Sequence, residues 1–326
     1  MNILKKILAI FLRFGISVLL LIFLFRKVDL SAILVIVKNA QHLLLFVAFL
    51  VSTLCYVLAF IRWYMLLKAV KIDLSLNKAI SSYSGGLFFN LFLPSTIGGD
   101  IVRSVDLSKH TRKPKEVIAT VFLDRLSGYV GLVILAVTAL LIGWDLVQIR
   151  AVLVSVIIIT LILIAVLVVI FNTFVYKKLN SLLYSSKAGK IRELITSLHE
   201  EIHLYRGRKK VLINNVLLSV LIQVLSPLSF YIIALSLGLN QSLIYFMIFF
   251  PVIGAITLLP ISIGGLGLRD ATTVFFFSRI GVPKDLSFAM SLSGFFFILV
   301  VGICGGLIYV FTVHNRRVQC HKPSRL

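Results

Sequence analysis

Asp100, Arg103, Asp124, Arg125, Arg269 and Asp270 carry charge within sequence that is otherwise apolar enough to enter a bilayer. Charges at such depth are costly, and they are kept where they face a cavity, one another or a substrate path. A guanidinium can hold a phosphate through two parallel N–H bonds. Arg103 and Arg269 are therefore candidate ligands for an anionic head group, with Asp100 and Asp270 placed to restrain them or to cap the helices they stand on. Asp124 and Arg125, in FLDRLSG, add a further pair about 10 to 12 Å in from the nearer end of its span. The competing reading makes all six structural ion pairs that pin the chain, and residue type leaves both readings open. Asn90, Ser95 and Ser262 are suited to a head group or to freed backbone carbonyls, and repair of broken backbone is the first expectation for them.

These residues need an unusual support. The stretch from 79 to 110, AISSYSGGLFFNLFLPSTIGGDIVRSVDLSKH, is broken at its centre by Pro94, Gly98 and Gly99, which forbids one continuous helix. Its apolar arm, 79 to 92, would reach about 21 Å against a hydrocarbon core of about 30 Å. A re-entrant hairpin follows, with one half-helix entering, a turn, and a second returning to the same side. The pattern recurs: LFLPSTIGGDIVR (91–103) aligns without a gap on TLLPISIGGLGLR (257–269), six of 13 positions being identical, including Pro94 with Pro260, Gly98 and Gly99 with Gly264 and Gly265, and Arg103 with Arg269. The glycines serve tight turning and close helix approach. The offset of 166 residues, near half the chain, predicts a duplication with halves at about 1–145 and 146–326. In each element the returning half-helix begins just after the glycines, so its amino terminus, with free N–H groups and partial positive charge, is a further expected anion site.

At 60% hydrophobic and 14% charged residues, with mean hydropathy +1.06, the chain is an integral membrane protein and one membrane domain over 1–326. Full spans are expected at 1–25, 43–61, 117–143, 150–172, 211–236 and 286–312, with an interfacial helix at 28–38. The first span resembles a secretory signal but has no small-residue cleavage site and is read as retained; Arg13 within it snorkels to the interface. With both termini cytoplasmic, 24 of the 33 Lys and Arg lie on inner segments and six on outer ones, which satisfies the positive-inside rule for a cell membrane. The net charge of +21 is thereby accounted for without nucleic acid. Three spans separate the two broken elements, so the halves are inverted, the architecture of secondary transporters. The fold class expected is all-α: about six full spans plus two re-entrant hairpins in an inverted repeat.

Other chemistries find little footing. Cys55, Cys304 and Cys320 form neither a disulfide framework nor a metal motif. His199, Glu200 and His203 spell H-E-x-x-H, but a catalytic zinc needs a third protein ligand, and the next acid, Asp270, falls toward the opposite face. Their segment, 173–210, reads as a basic amphipathic helix on an anionic inner leaflet. No metal, cofactor or nucleotide site is expected, nor any soluble catalytic domain.

The combination of FFNLFLPSTIGGDIVRS, the Asp124–Arg125 pair and LPISIGGLGLRD resembles the transmembrane region of lysylphosphatidylglycerol synthases, a flippase-like family of multi-pass proteins, over nearly the whole chain. Asp270 stands where the family commonly has glutamate. The resemblance implies translocation of a lipid or lipid-linked head group between leaflets, or service to a partner enzyme acting on such lipids. Lysine transfer is not carried over, since the aminoacyl-transferring domain is not found in these residues, and neither is the separate catalytic region of relatives named as glycosyltransferases. The sequence reading is an anionic-lipid carrier driven downhill or by protonation of Asp100, Asp124 or Asp270. Two other classes stay open: an intramembrane transferase with Asp100 or Asp124 as general base, and a scaffold recruiting a lipid or glycolipid synthase through 173–210.

Overall fold

A computed structural model describes residues 30–93, 98–111, 113–145, 149–176, 178, 196, 205 and 207–320 except 260, 261 and 263. The expected first span, Pro94, Ser95, Pro260 and the His199–Glu200–His203 motif lie outside the described residues. Ten helices are described: α1 (Leu30–Lys38), α2 (His42–Ala69), α3 (Leu76–Asn90), α4 (Gly98–Thr111), α5 (Pro114–Ile142), α6 (Arg150–Phe171), α7 (Lys209–Ser236), α8 (Leu243–Thr257), α9 (Leu268–Ser278) and α10 (Lys284–Cys320). Among the described residues, five are long and apolar enough to cross a membrane: α2, α5, α6, α7 and α10 over Lys284–Thr312. The chain is thus an all-α polytopic membrane protein. The core is apolar, as in a protein in water, but the outer surface is apolar too, as lipid solvent allows. Leu43, Phe46, Ile142, Leu161 and Phe311 face outward, while Arg62, Asp100, Arg103, Asp124 and Asp270 are buried.

One span departs from expectation. The span expected over 43–61 runs on through Arg62, Trp63 and Tyr64 to Ala69. Arg62 and Trp63 are both buried, and the charge that should have stopped the helix is neutralised by a partner within the bundle.

The short helices form two hairpins. In the first, Gly99 lies on Gly86 and Asn90 and the Arg103 carbonyl accepts a bond from Ser82, so α4 runs back along α3. In the second, Phe249 meets Phe276 and Phe277 while Phe246 meets Phe277, so α9 runs back along α8. The fifteen residues of α3 and of α8 each reach about 22 Å at 1.5 Å per residue, short of a crossing.

The halves correspond helix by helix. His42 and Lys209 open helices of 28 residues each, 167 positions apart; Leu76 and Leu243 open helices of 15 residues at the same spacing. The correspondence extends to single bonds across the α2–α7 seam. Asn215 Nδ2 donates to the Arg62 carbonyl and Ser229 Oγ donates to the Ala48 carbonyl, both at 2.8 Å. At that spacing Ala48 corresponds to Asn215 and Arg62 to Ser229, so these are one interaction seen from each half. The start of α2 meets the end of α7, Gln41 N–H donating to the Ser236 carbonyl, so the two equivalent helices are antiparallel and the halves are inverted. Each half's last helix packs on the other's hairpin, α5 on α8 and α10 on α3.

Past the breaks the spacing becomes 170, since α4 opens at Gly98 and α9 at Leu268, and α5 at Pro114 and α10 at Lys284. The gapless alignment of 91–103 on 257–269 is therefore not the structural one. Asp100 and Asp270 are the equivalent pair, each the third residue of its returning helix, whereas Arg103 stands a turn deeper in α4 than Arg269 does in α9.

Candidate functional site

The two hairpin tips meet. A β-carbon placed on Gly264 would lie 3.6 Å from the Leu91 carbonyl oxygen and 3.7 Å from that of Asn90. Beside this contact is a cavity of about 430 Å³, walled by α2, α7 and α10 as well as by both hairpins, with Arg62, Asp100, Arg103, Asp124, Arg125 and Arg269 among its lining residues. Asn90 and Gly264 also face it. Gly98, Gly99, Gly265 and Asp270 stand behind the wall and shape it.

Most of these charges form one chain. Arg62 Nε donates to Asp124 at 2.9 Å and its Nη1 to Ser219 Oγ at 2.9 Å. Arg103 Nη2 lies 3.1 Å from Asp100 and 3.6 Å from Asp124. Arg125 Nε donates to the other oxygen of Asp100. The Arg103 guanidinium also lies 4.3 Å from the Trp63 ring and 5.3 Å from that of Tyr83, a stacking arginine favours. Asp124 and Arg125 thus do not serve one another: successive side chains on a helix diverge, and each turns to another element. The chain ties α2, α4 and α5 together.

The second hairpin is held differently. The Asp270 carboxylate accepts from Gly267 N–H at 2.9 Å and from the Ser291 hydroxyl at 2.5 Å, so it caps α9. Arg269 reaches Asp270 and Ser291 only at 3.4 Å each, stacks 5.1 Å from Phe295, and keeps 17% of its side chain exposed. Of the four arginines its nearest carboxylate is the furthest away, although Arg125 is the more exposed, at 34%. The first hairpin caps its helix from the opposite arm, with Gly99 N–H donating to Asn90 Oδ1 at 2.7 Å. One amide at the start of each returning helix is thereby occupied by a protein acceptor.

The glycine pairs that align in sequence do different work. Gly98 and Gly99 are helical, and a β-carbon on Gly99 would collide with the Gly86 carbonyl and the Asn90 side chain. Gly264, Gly265 and Gly267 turn the second tip with φ of 58°, 78° and 76°, where only glycine is free of strain. The buried Ser262 hydroxyl at that tip has no partner among the described residues.

Arg62 is the charged lining residue that the expected span limits left outside the bundle. Its signal was present: Asp124 cannot pair with the adjacent Arg125 and so requires another cation. Among the described residues no three His, Cys, Asp or Glu side chains gather to hold a metal.

The family model described as "Lysylphosphatidylglycerol synthase TM region" matches residues 10–306. Two relatives from Methanothermobacter thermautotrophicus, both named "UPF0104 membrane protein", are similar over most of their length. One is 25% identical over 288 residues, covering 82% of this chain and 85% of the relative. The other is 22% identical over 271 residues, covering 74% and 76%.

Proposed function

The chain belongs to the lysylphosphatidylglycerol synthase transmembrane-region family, and from that premise we propose that it carries an anionic phospholipid or lipid-linked head group between the leaflets of a cell membrane. The observation that bears most weight is the arginine-lined cavity beside the joined tips of two inverted hairpins, the place where transporters built from inverted repeats bind substrate. The head group docks in this cavity against Arg269 and Arg103 while the acyl chains stay in lipid. Asp124 and Arg125 orient the site, and relative rocking of the halves exposes it to one side and then the other. Both termini are cytoplasmic in this reading, as the inner excess of Lys and Arg favours.

Movement of labelled anionic lipid in proteoliposomes, read leaflet by leaflet, tests it. A charge-assisted hydrogen bond is worth about 1.5–3 kcal/mol, so Arg269→Ala is expected to slow transfer by about ten- to a hundredfold. Pairing it with Arg103→Ala is expected to bring the rate to that of protein-free vesicles, and unchanged rates in both would refute the carrier. Product formation in detergent, where no leaflets exist, would instead support the intramembrane transferase.

A further inference from the structure

We infer that the head group taken by this cavity is small and carries one negative charge, as a phosphodiester does, and is neither a zwitterion nor a diphosphate-linked sugar; this rests on the carrier reading above. Charge supplies the first ground. Four guanidinium groups, Arg62, Arg103, Arg125 and Arg269, meet three carboxylates, Asp100, Asp124 and Asp270, each of which lies against an arginine. With all seven ionised the site holds an excess of one positive charge. Burying an uncompensated charge in a medium of low dielectric is costly. A monoanion cancels the excess, a dianion reverses it, and a zwitterion leaves it standing.

The second ground is where the excess resides. Arg62, Arg103 and Arg125 share Asp100 and Asp124, three positive charges on two negative, so the excess sits in this network, while Arg269 has Asp270 at 3.4 Å. Arg269 is the adaptable member of the site, its contacts to Asp270 and Ser291 both 3.4 Å long. Opposite, Arg103 lines the same cavity at 3% exposure, and its Nε is a buried donor with no partner among the described residues. A buried donor left unpaired costs about 1–3 kcal/mol, so Arg103 is incompletely satisfied within its own network. Size is the third ground: about 430 Å³ lies toward the low end of the roughly 300–1,000 Å³ typical of small-molecule sites, which suits a compact head group such as a phosphate with a short polyol.

The full chain, reconstituted in phosphatidylcholine vesicles, is given four acyl-labelled lipids: phosphatidylglycerol, phosphatidylcholine, phosphatidic acid and a polyprenyl diphosphate sugar. The pH is held well above the second phosphate pKa of about 6, so that phosphatidic acid is dianionic. Phosphatidylglycerol is expected to move at least about tenfold faster than the others. Arg269→Gln, which removes the excess charge, is expected to abolish that preference and favour the zwitterion, while Arg269→Lys keeps the order. In parallel, short-chain versions of the lipids are tested in detergent for their shift of the thermal unfolding midpoint. Equal movement of zwitterion, dianion and monoanion overturns the charge assignment and leaves the carrier standing. No movement of any lipid, with stabilisation still strongest for phosphatidylglycerol, overturns the carrier and retains the assignment. Neither movement nor ordered stabilisation overturns both.

Discussion

Asp124 answers two arginines from two other helices. At 4% exposure it accepts from Arg62 at 2.9 Å and faces Arg103 at 3.6 Å, so its carboxylate holds α2 and α4 to α5. Removing one member of a buried pair leaves a charge unmatched, typically at about 3–5 kcal/mol, whereas replacing both by apolar groups is often close to neutral. Asp124→Asn is therefore expected to destabilise the protein by about 3 kcal/mol or more, and the double change Arg62→Met with Asp124→Leu by less than the single one. Chemical unfolding in detergent micelles measures both, and a double variant costing the sum of its parts would dismiss the pairing as a stabilising unit. Much of this network was legible in the sequence, because a charge within apolar sequence stands out whatever the fold. Its pairing was not: Arg62 and Asp124 lie 62 residues apart, and the basic and aromatic residues in the last third of α2 imitate a membrane interface until the partner is known.

The hairpins were readable as elements because proline and glycine interrupt apolar runs too short to span. Their internal geometry was not, since one glycine-glycine string satisfies two unrelated requirements. At Gly99 the need is space, a β-carbon there meeting the Gly86 carbonyl and Asn90; at Gly265 it is backbone freedom, with φ of 78° and the nearest side-chain atom 3.7 Å from an added β-carbon. Asparagine tolerates the left-handed region better than alanine but needs more room. At position 265 asparagine is accordingly expected to be the milder replacement, alanine costing about 1–2 kcal/mol of strain. At position 99 the order reverses, with alanine costing about 1–3 kcal/mol from overpacking and asparagine more. Thermal midpoints of the four variants in detergent decide this, and the same rank order at both sites would mean that the two tips are built alike after all. The shift of spacing from 167 to 170 has the same origin: three further residues are spent turning the second tip, which a gapless alignment cannot register.

At the scale of the whole molecule the inversion of the halves follows from one fact, that α2 and α7 are equivalent in the repeat yet antiparallel across their seam. The sequence carried this only through a count of the three spans between the hairpins. The geometry here depends on no such count. Inversion sends the two hairpins in from opposite faces, so their bases must lie on opposite sides of the membrane. Asp73, between α2 and α3, and Lys113, between α4 and α5, mark the base of the first hairpin; Asn240, before α8, and Lys284, after α9, mark that of the second. Cysteines placed singly at these four positions, in a chain whose Cys55, Cys304 and Cys320 are replaced by serine, can be probed with a bulky maleimide that does not cross membranes. In intact cells and in inverted vesicles, positions 73 and 113 are expected to react from one side, the cytoplasmic one if the Lys and Arg bias sets orientation, and positions 240 and 284 from the other. Phe92, beside the first tip, is expected to react from neither. Labelling of all four base positions from a single side would make the repeat parallel, and reaction of position 92 from the side of position 240 would turn the re-entrant arms into full crossings. Either result would remove the opposed placement of the two hairpins, on which the proposed alternate exposure of a head group depends.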